Sequence, residues 1–310
     1  MLCDERFSKN LLAAVMGVAV GDAFGFPVQF DTREELKAHP VVDMEDNAVF
    51  SDDTSLTLCT LASLIENDWQ INEIDMMNKF LAWIQEGYMS AEDYAFDIGR
   101  TTRKALQRFY NDAPLELCGC SGSGDCGNGS LMRIAPVIFY LEKNKKADAY
   151  TAIKSVSSLT HAHEVCVLGC YIYVMTGLAI LNIKEEISKK DIVETSLKNM
   201  ANEVESKFSP EAVSLYRNIF AVNDLTETSE ENIKSTGYVV DSLQAALWAF
   251  LTTDSFEQCI IKATSLGDDT DTIAAIAGGL AGIYYGYDAI PKSWIDKIKK
   301  KKLIFEVCEE

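Results

Sequence analysis

Two short runs of oxygen-bearing side chains, far apart in the chain, carry the strongest chemical signal: Ser51-Asp52-Asp53-Thr54 and Gly267-Asp268-Asp269-Thr270-Asp271-Thr272. Each stands ahead of an apolar stretch with helical spacing, so each reads as a helix entry. Capping accounts for part of this, because Ser, Thr and Asp accept hydrogen bonds from the free N–H groups of a first turn and complement its dipole. A helix needs only one cap, and both runs exceed that need. Brought together, their carboxylates repel one another unless cations sit between them. Hydroxyl and carboxylate oxygens without nearby His or Cys suit hard divalent ions, magnesium, manganese or calcium, over zinc. A pair of such ions can share a carboxylate, orient a diol and lower the pKa of a bound water.

The overall charge narrows what the site can hold. The 310 residues carry a formal net charge of −19, which repels phosphate backbones and disfavours nonspecific nucleic-acid binding in the absence of a local basic patch. An anionic ligand must then be held by backbone N–H groups or by bound cations. Gly127-Asn128-Gly129-Ser130 precedes the apolar run from Leu131 to Tyr140, where a flexible backbone and a first helical turn can offer such groups; a plain turn explains the same residues. Arg133 fits either a phosphate or a core carboxylate. Cys118, Cys120 and Cys126 lack a fourth ligand and match no common zinc spacing, so they read as free thiols.

Read in order, Gly21-Asp22-Ala23-Phe24-Gly25, Ser51 to Thr54, Phe96-Asp97-Ile98-Gly99, Gly127 to Arg133, Thr160-His161 and Gly267 to Thr272 closely resemble the ADP-ribosylglycohydrolases, over about residues 10–290. That family includes the dinitrogenase-reductase-activating glycohydrolase and the ADP-ribosyl-acceptor hydrolases. The resemblance implies an all-α fold, two divalent cations, Mg2+ or Mn2+, and hydrolysis of the glycosidic bond joining ADP-ribose to an acceptor, with ADP-ribosyl-arginine on protein the expected substrate. It implies Ser51, Asp52, Asp53, Asp269, Asp271 and Thr272 as metal ligands, with Asp52 or Asp53 relaying a proton. Gly127, Asn128, Gly129, Ser130, His161 and Tyr238 become contacts of the ADP-ribose moiety, whether on a protein or a small molecule. Asp97 becomes the residue facing an acceptor guanidinium. On chemistry alone, His161 and His163 read as helix-start residues, Tyr238 as core, and Asp97 as a cap for the helix through Ala105.

Three positions depart from the family pattern: Ser51 stands where the family often has threonine, and keeps the hydroxyl oxygen. Asp268 stands where a second glycine is usual, and reads as a solvated carboxylate. Gln29, in Pro27-Val28-Gln29-Phe30, stands where the family places a glutamate beside the metals. An amide cannot accept a proton as a base, a role worth about 10²–10⁴-fold in rate. Slow turnover, raised by Gln29→Glu, is the expectation; the alternative is a binding module that captures ADP-ribose or an ADP-ribosylated partner with little or no hydrolysis.

The elements that must position these residues are helices. Leu56, Cys59, Leu61, Ala62, Leu64 and Ile65 recur at helical intervals, as do Ile74, Met77, Leu81 and Ile84. Further helical runs cover about 130–142, 164–181, 189–206, 239–251, 256–265 and 272–285, and no strand alternation is visible. Six prolines, no Gly/Ser linker and no dividing charge run predict one compact helical domain over 1–310. Glycines and alanines concentrate at 13–21 and 274–282, which predicts close helix-to-helix or helix-to-ligand approach. The apolar stretches at 11–21 and 273–286 are shorter than a bilayer span, and no secretory signal opens the chain. A cytoplasmic protein without membrane association is expected.

Overall fold

The two small-residue helices pack antiparallel, backbone to backbone, and this contact sets the site. The structure, a computed structural model, describes residues 2–183 and 187–309. The first helix runs Leu2–Gly25 and its partner Thr270–Tyr285. Every fourth residue meets its counterpart: a Cβ at Gly17 would lie 2.2 Å from the Gly278 carbonyl oxygen, and one at Gly282 would lie 2.1 Å from that of Ala13. Only glycine permits this approach. The Thr270 hydroxyl closes the seam by donating to the Gly25 carbonyl at 2.8 Å. The end of the first helix and the start of its partner therefore share one place, which brings Asp22 to Asp271.

The third participant is the helix Asp52–Glu66, buried from Asp52 to Leu64. Its entry is tied to the first helix through Asp22, which accepts from the Ser51 and Thr54 N–H groups and from the Thr54 hydroxyl at 2.6–3.0 Å. Glu164–Leu181, Val239–Leu251 and Phe256–Thr264 pack around this centre, close to their predicted limits. The helix expected from 130 begins instead at Pro136 and ends at Lys143. Proline sets its first turn, and the preceding residues form turns closed by Met132 N–H to Asn128 O and Ile134 N–H to Leu131 O.

Among the described residues there is no strand, only three isolated bridges. One apolar cluster runs from Leu11 to Cys308, as one domain requires. Two helical segments, Glu5–Val28 and Glu164–Leu181, are long and apolar enough to cross a bilayer, which the shorter limits read from sequence did not allow for; each has 78% of its apolar window buried inside the protein. Lys299, Lys300 and Lys301 make a local basic run that the sequence reading passed over. They pair with Glu92, Asp93 and Asp296, so the run is largely neutralised.

Candidate functional site

Asp22, Asp53 and Asp271 form the acidic centre: each offers an oxygen within 4.8 Å of the others, and all three are buried. Ser51 Oγ and Thr272 Oγ1 reach Asp53 Oδ2 at 3.2 and 3.3 Å. Asp53 Oδ1 and Asp271 Oδ2 have no hydrogen-bond partner among the described residues although both are buried. Buried carboxylate oxygens are normally satisfied, so this pair of orphans marks a place suited to a cation. Capping explains part of the first run, because Ser51 Oγ accepts from Asp53 N–H at 3.4 Å. It does not explain the second: Asp269 is the N-cap of the Thr270 helix, yet its side chain makes no capping bond. Its carboxylate instead accepts from the Asn128 amide at 2.5 Å.

Beside the centre opens a cleft of about 810 Å³, lined among others by Gln29, Asp52, Asp97, Arg100, Asn128, His161, Tyr238 and Asp269. That volume suits a ligand of nucleotide size. Asn128 N–H donates to the Gly237 carbonyl at 3.1 Å, and Gly127 bridges Tyr238. The loop thus lies across the entry of the Val239 helix. Its glycines make room for an imidazole: a Cβ at Gly129 would lie 2.8 Å from His161 Cε1 and 3.0 Å from Thr102 Oγ1. Gly129→Ala is accordingly expected to weaken ADP-ribose binding about 10-fold or more, the scale of an overpacking strain, with helix content unchanged. Calorimetry with circular dichroism checks this; full affinity would separate the loop from the ligand.

The family model for ADP-ribosylglycohydrolase matches residues 4–310. The chain belongs to the ADP-ribosylglycohydrolase family. The match extends beyond the 10–290 span read from motifs. The ADP-ribosylarginine hydrolase Tri1 of Serratia proteamaculans is 31% identical, covering 96% of this chain and 77% of that protein. The ADP-ribosyl-[dinitrogen reductase] glycohydrolase of Rhodospirillum rubrum is 25% identical, covering 94% and 90%. A solved ADP-ribosylglycohydrolase-related protein complex superposes with a TM-score of 0.79 at 25% identity, over 98% of this chain and 97% of that one. The protein is thus an ADP-ribosyl hydrolase, built on the all-α fold of that family.

Within this ADP-ribosylglycohydrolase the sequence-read residues fall into three groups. Asp52, Asp97, Gly127, Asn128, Gly129, His161, Tyr238, Asp269, Thr272 and Gln29 line the cleft. Ser51, Asp53 and Asp271 lie beneath it, fully enclosed. Ser130 departs from expectation, because its buried hydroxyl bonds Ser157 and lies 3.5 Å from Cys170 Sγ, leaving only its backbone for a ligand. Arg133 serves neither expected role: it is fully buried without a carboxylate, donating to Thr160 Oγ1 and the Val156 carbonyl and stacking over Phe80. The loop 127–130 does not open a helix. Besides the starts of the Asp52, Val239 and Thr270 helices, the cleft meets that of Arg100–Tyr110, whose N-cap Gly99 supplies no side chain. Asp97 is not that cap. Asp22 and the N–H groups of this first turn escaped the sequence reading; Asp22 stood in a quoted motif but had no role there. Cys118, Cys120 and Cys126 are buried free thiols, as expected.

Asp268 is exposed at the cleft edge with φ 59, a left-handed conformation that explains why glycine suits this position. The enclosed carboxyls titrate high. Burial pushes Asp22 and Asp269 up to about 6, and burial with neighbouring carboxylates pushes Asp52, Asp53 and Asp271 well above the usual range. In the unfolded chain such groups ionise near about 4. A folded-state pKa raised in this way gives stability that is present below the unfolded value and lost as pH rises through the folded one. Chelator-treated protein is therefore expected to melt at lower temperature at about pH 7.5 than at about pH 5. Thermal melts across that range check it, and a rising profile would contradict it.

Proposed function

We propose that this ADP-ribosylglycohydrolase hydrolyses the N-glycosidic bond between ADP-ribose and an arginine side chain, with two divalent cations, Mg2+ or Mn2+, held by Asp22, Ser51, Asp53, Asp271 and Thr272, with Asp52 and Asp269 at the cleft side. The orphaned oxygens of Asp53 and Asp271 and an all-oxygen donor set fit such ions. Bound there, the cations supply electrostatic hold on the ribose diol and a water of lowered pKa.

The carrying observation is Asp97. It is half-buried at the cleft wall with φ 58, and its Oδ2 accepts from the Gln29 amide at 2.9 Å. A carboxylate held by a neutral amide stays available to a planar cation, and a guanidinium pairs with it through two parallel hydrogen bonds. Asp52 faces the same cleft and accepts no protein hydrogen bond among the described residues, so it is free to take the proton of the attacking water. The water oxygen bonds to the anomeric carbon as the C–N bond breaks with its electron pair going to nitrogen, and the proton taken by Asp52 passes to the departing guanidine, which leaves as guanidinium beside Asp97. The pyrophosphate falls to the backbone N–H groups of Gly127 and Gly129 and of the first turn after Gly99, that of Asn128 being spent on the Gly237 carbonyl, since Arg100 is the one cation among the described lining residues.

Two relatives at 30–31% identity, both called ADP-ribosylarginine hydrolase, support the same acceptor. The test is a release assay with Mn2+ or Mg2+ across ADP-ribosyl-arginine, ADP-ribosyl-serine and O-acetyl-ADP-ribose. The arginine conjugate should be cleaved at least about 10-fold faster, the scale of one charge-assisted hydrogen bond. Preference for either oxygen-linked substrate would overturn the acceptor assignment.

A further inference from the structure

Arg133 poses a physical problem. A guanidinium has only donors, and this one is fully buried, with no carboxylate beside it and its Nε unpartnered among the described residues. Burial lowers its pKa to about 10, so it remains a cation at neutral pH. Its shortest contact, 2.6 Å, is to Thr160 Oγ1, and that hydroxyl also lies 2.8 Å from His161 Nδ1.

These contacts fix the direction of the hydrogen bonds. Arg133 must donate, so Thr160 Oγ1 accepts. The Thr160 hydroxyl hydrogen then has His161 Nδ1 as its one acceptor among the described residues. Were Nδ1 protonated, it would donate to the second lone pair of Thr160 Oγ1, and the Thr160 hydroxyl hydrogen would be buried without an acceptor among the described residues, a costly arrangement. Nδ1 is therefore bare, and the single imidazole proton sits on Nε2. Nε2 carries no protein hydrogen bond among the described residues, and His161 lines the cleft beside Gly127 and Gly129. The backbone holds the ring in place: Cys120 N–H donates to the Thr160 carbonyl, Ala162 N–H to the Cys120 carbonyl, and His161 N–H to the Ser157 carbonyl.

We infer that Arg133 and Thr160 are positioning residues that lock His161 in its Nε2–H tautomer, making a neutral imidazole a fixed donor to a phosphate oxygen of the ADP-ribose moiety. The ring needs no charge for this. Burial holds its pKa down at about 3, with Arg133 adding to the depression, so the tautomer is what gives the donor its direction. An imidazole locked the other way would turn a lone pair toward the phosphate. Ring orientation set through the second nitrogen is a general way of defining a histidine's role. The phosphate contact rests on the function proposed above; the tautomer does not.

The test separates the two. Side-chain 1H–15N spectra of the wild type, with His161 assigned by its loss in His161→Gln, should show a protonated Nε2 and a bare Nδ1, with or without ADP-ribose. A protonated Nδ1 or an imidazolium at neutral pH would overturn the relay with no variant required. Thr160→Val should lose the single-tautomer signature and bind ADP-ribose about 10- to 100-fold more weakly, the range for a hydrogen bond to a charged group. Thr160→Ser, which keeps the hydroxyl, should restore both. A folded Thr160→Val protein with wild-type affinity would overturn the positioning role. If Thr160→Val does not fold, the wild-type spectrum and Thr160→Ser binding carry the decision. A wild type showing the Nε2–H tautomer but no ADP-ribose binding would sink the phosphate contact alone.

Discussion

Asp271→Asn is expected to lose at least one of two bound divalent ions and to slow hydrolysis by more than about 10²-fold, since outer-shell partners of metal ligands alone cost about 10–100-fold. Asp271 is fully buried; its Oδ1 accepts from Thr272 N–H at 2.8 Å and its Oδ2 has no partner. It faces Asp53, whose Oδ1 is likewise unpartnered. Two such oxygens in a dry setting destabilise the protein unless a cation lies between them. The same substitution should therefore raise the melting temperature of chelator-treated protein while removing the gain that added Mn2+ gives the wild type. A residue that merely capped the Thr270 helix would show a different pattern, lower stability in both states with metal content intact. Elemental analysis giving full stoichiometry in the variant would end the assignment.

Gln29→Glu is expected to reduce cleavage of the arginine conjugate, on the order of 10-fold or more, the scale of losing a hydrogen bond to a charged group. The sequence suggested the reverse, because a glutamate regained there resembles a missing base. Geometry changes the expectation: Gln29 Nε2 donates to Asp97 Oδ2 at 2.9 Å, so a glutamate would set two carboxylates in contact, and one must take a proton or swing away. Asp97 would then be lost as a guanidinium partner. Asp97→Asn should raise KM for the arginine conjugate more than it lowers kcat for a serine conjugate. The double variant Gln29→Glu, Asp97→Asn restores the bond with reversed polarity but leaves no charge at 97, so it should stay slow on arginine. Steady-state kinetics that find Gln29→Glu faster than wild type would show that the amide limits turnover.

The helices were legible because their signals are local. Ser51 and the Asp269 run opened helices as their composition requires, and the alanines and glycines announced a close approach by the first helix and by Thr270–Tyr285, though not that each is the other's partner. What escaped was anything decided by pairing across the chain. Asp22 looks like one more turn residue until Ser51 and Thr54 bring their N–H groups to it. Arg133 was open to burial beside a core carboxylate, but nothing local shows that its enclosed guanidinium meets Thr160 and Phe80 instead. Ser130 was read with its loop, although its hydroxyl turns inward to Ser157. The helix start misplaced at 130 has a local cause: Pro136 was available as an N1 signal, and the apolar run before it was taken as its first turns.

The most direct test of the account is single-turnover release of ADP-ribose from an arginine-linked conjugate, measured on protein stripped of metal, verified by elemental analysis, and again after Mn2+ is restored. The account predicts no release above background from the stripped protein, and recovery of release as two ions per chain are taken up. Undiminished release from verifiably metal-free protein, or two bound ions and bound conjugate with no release, would contradict it.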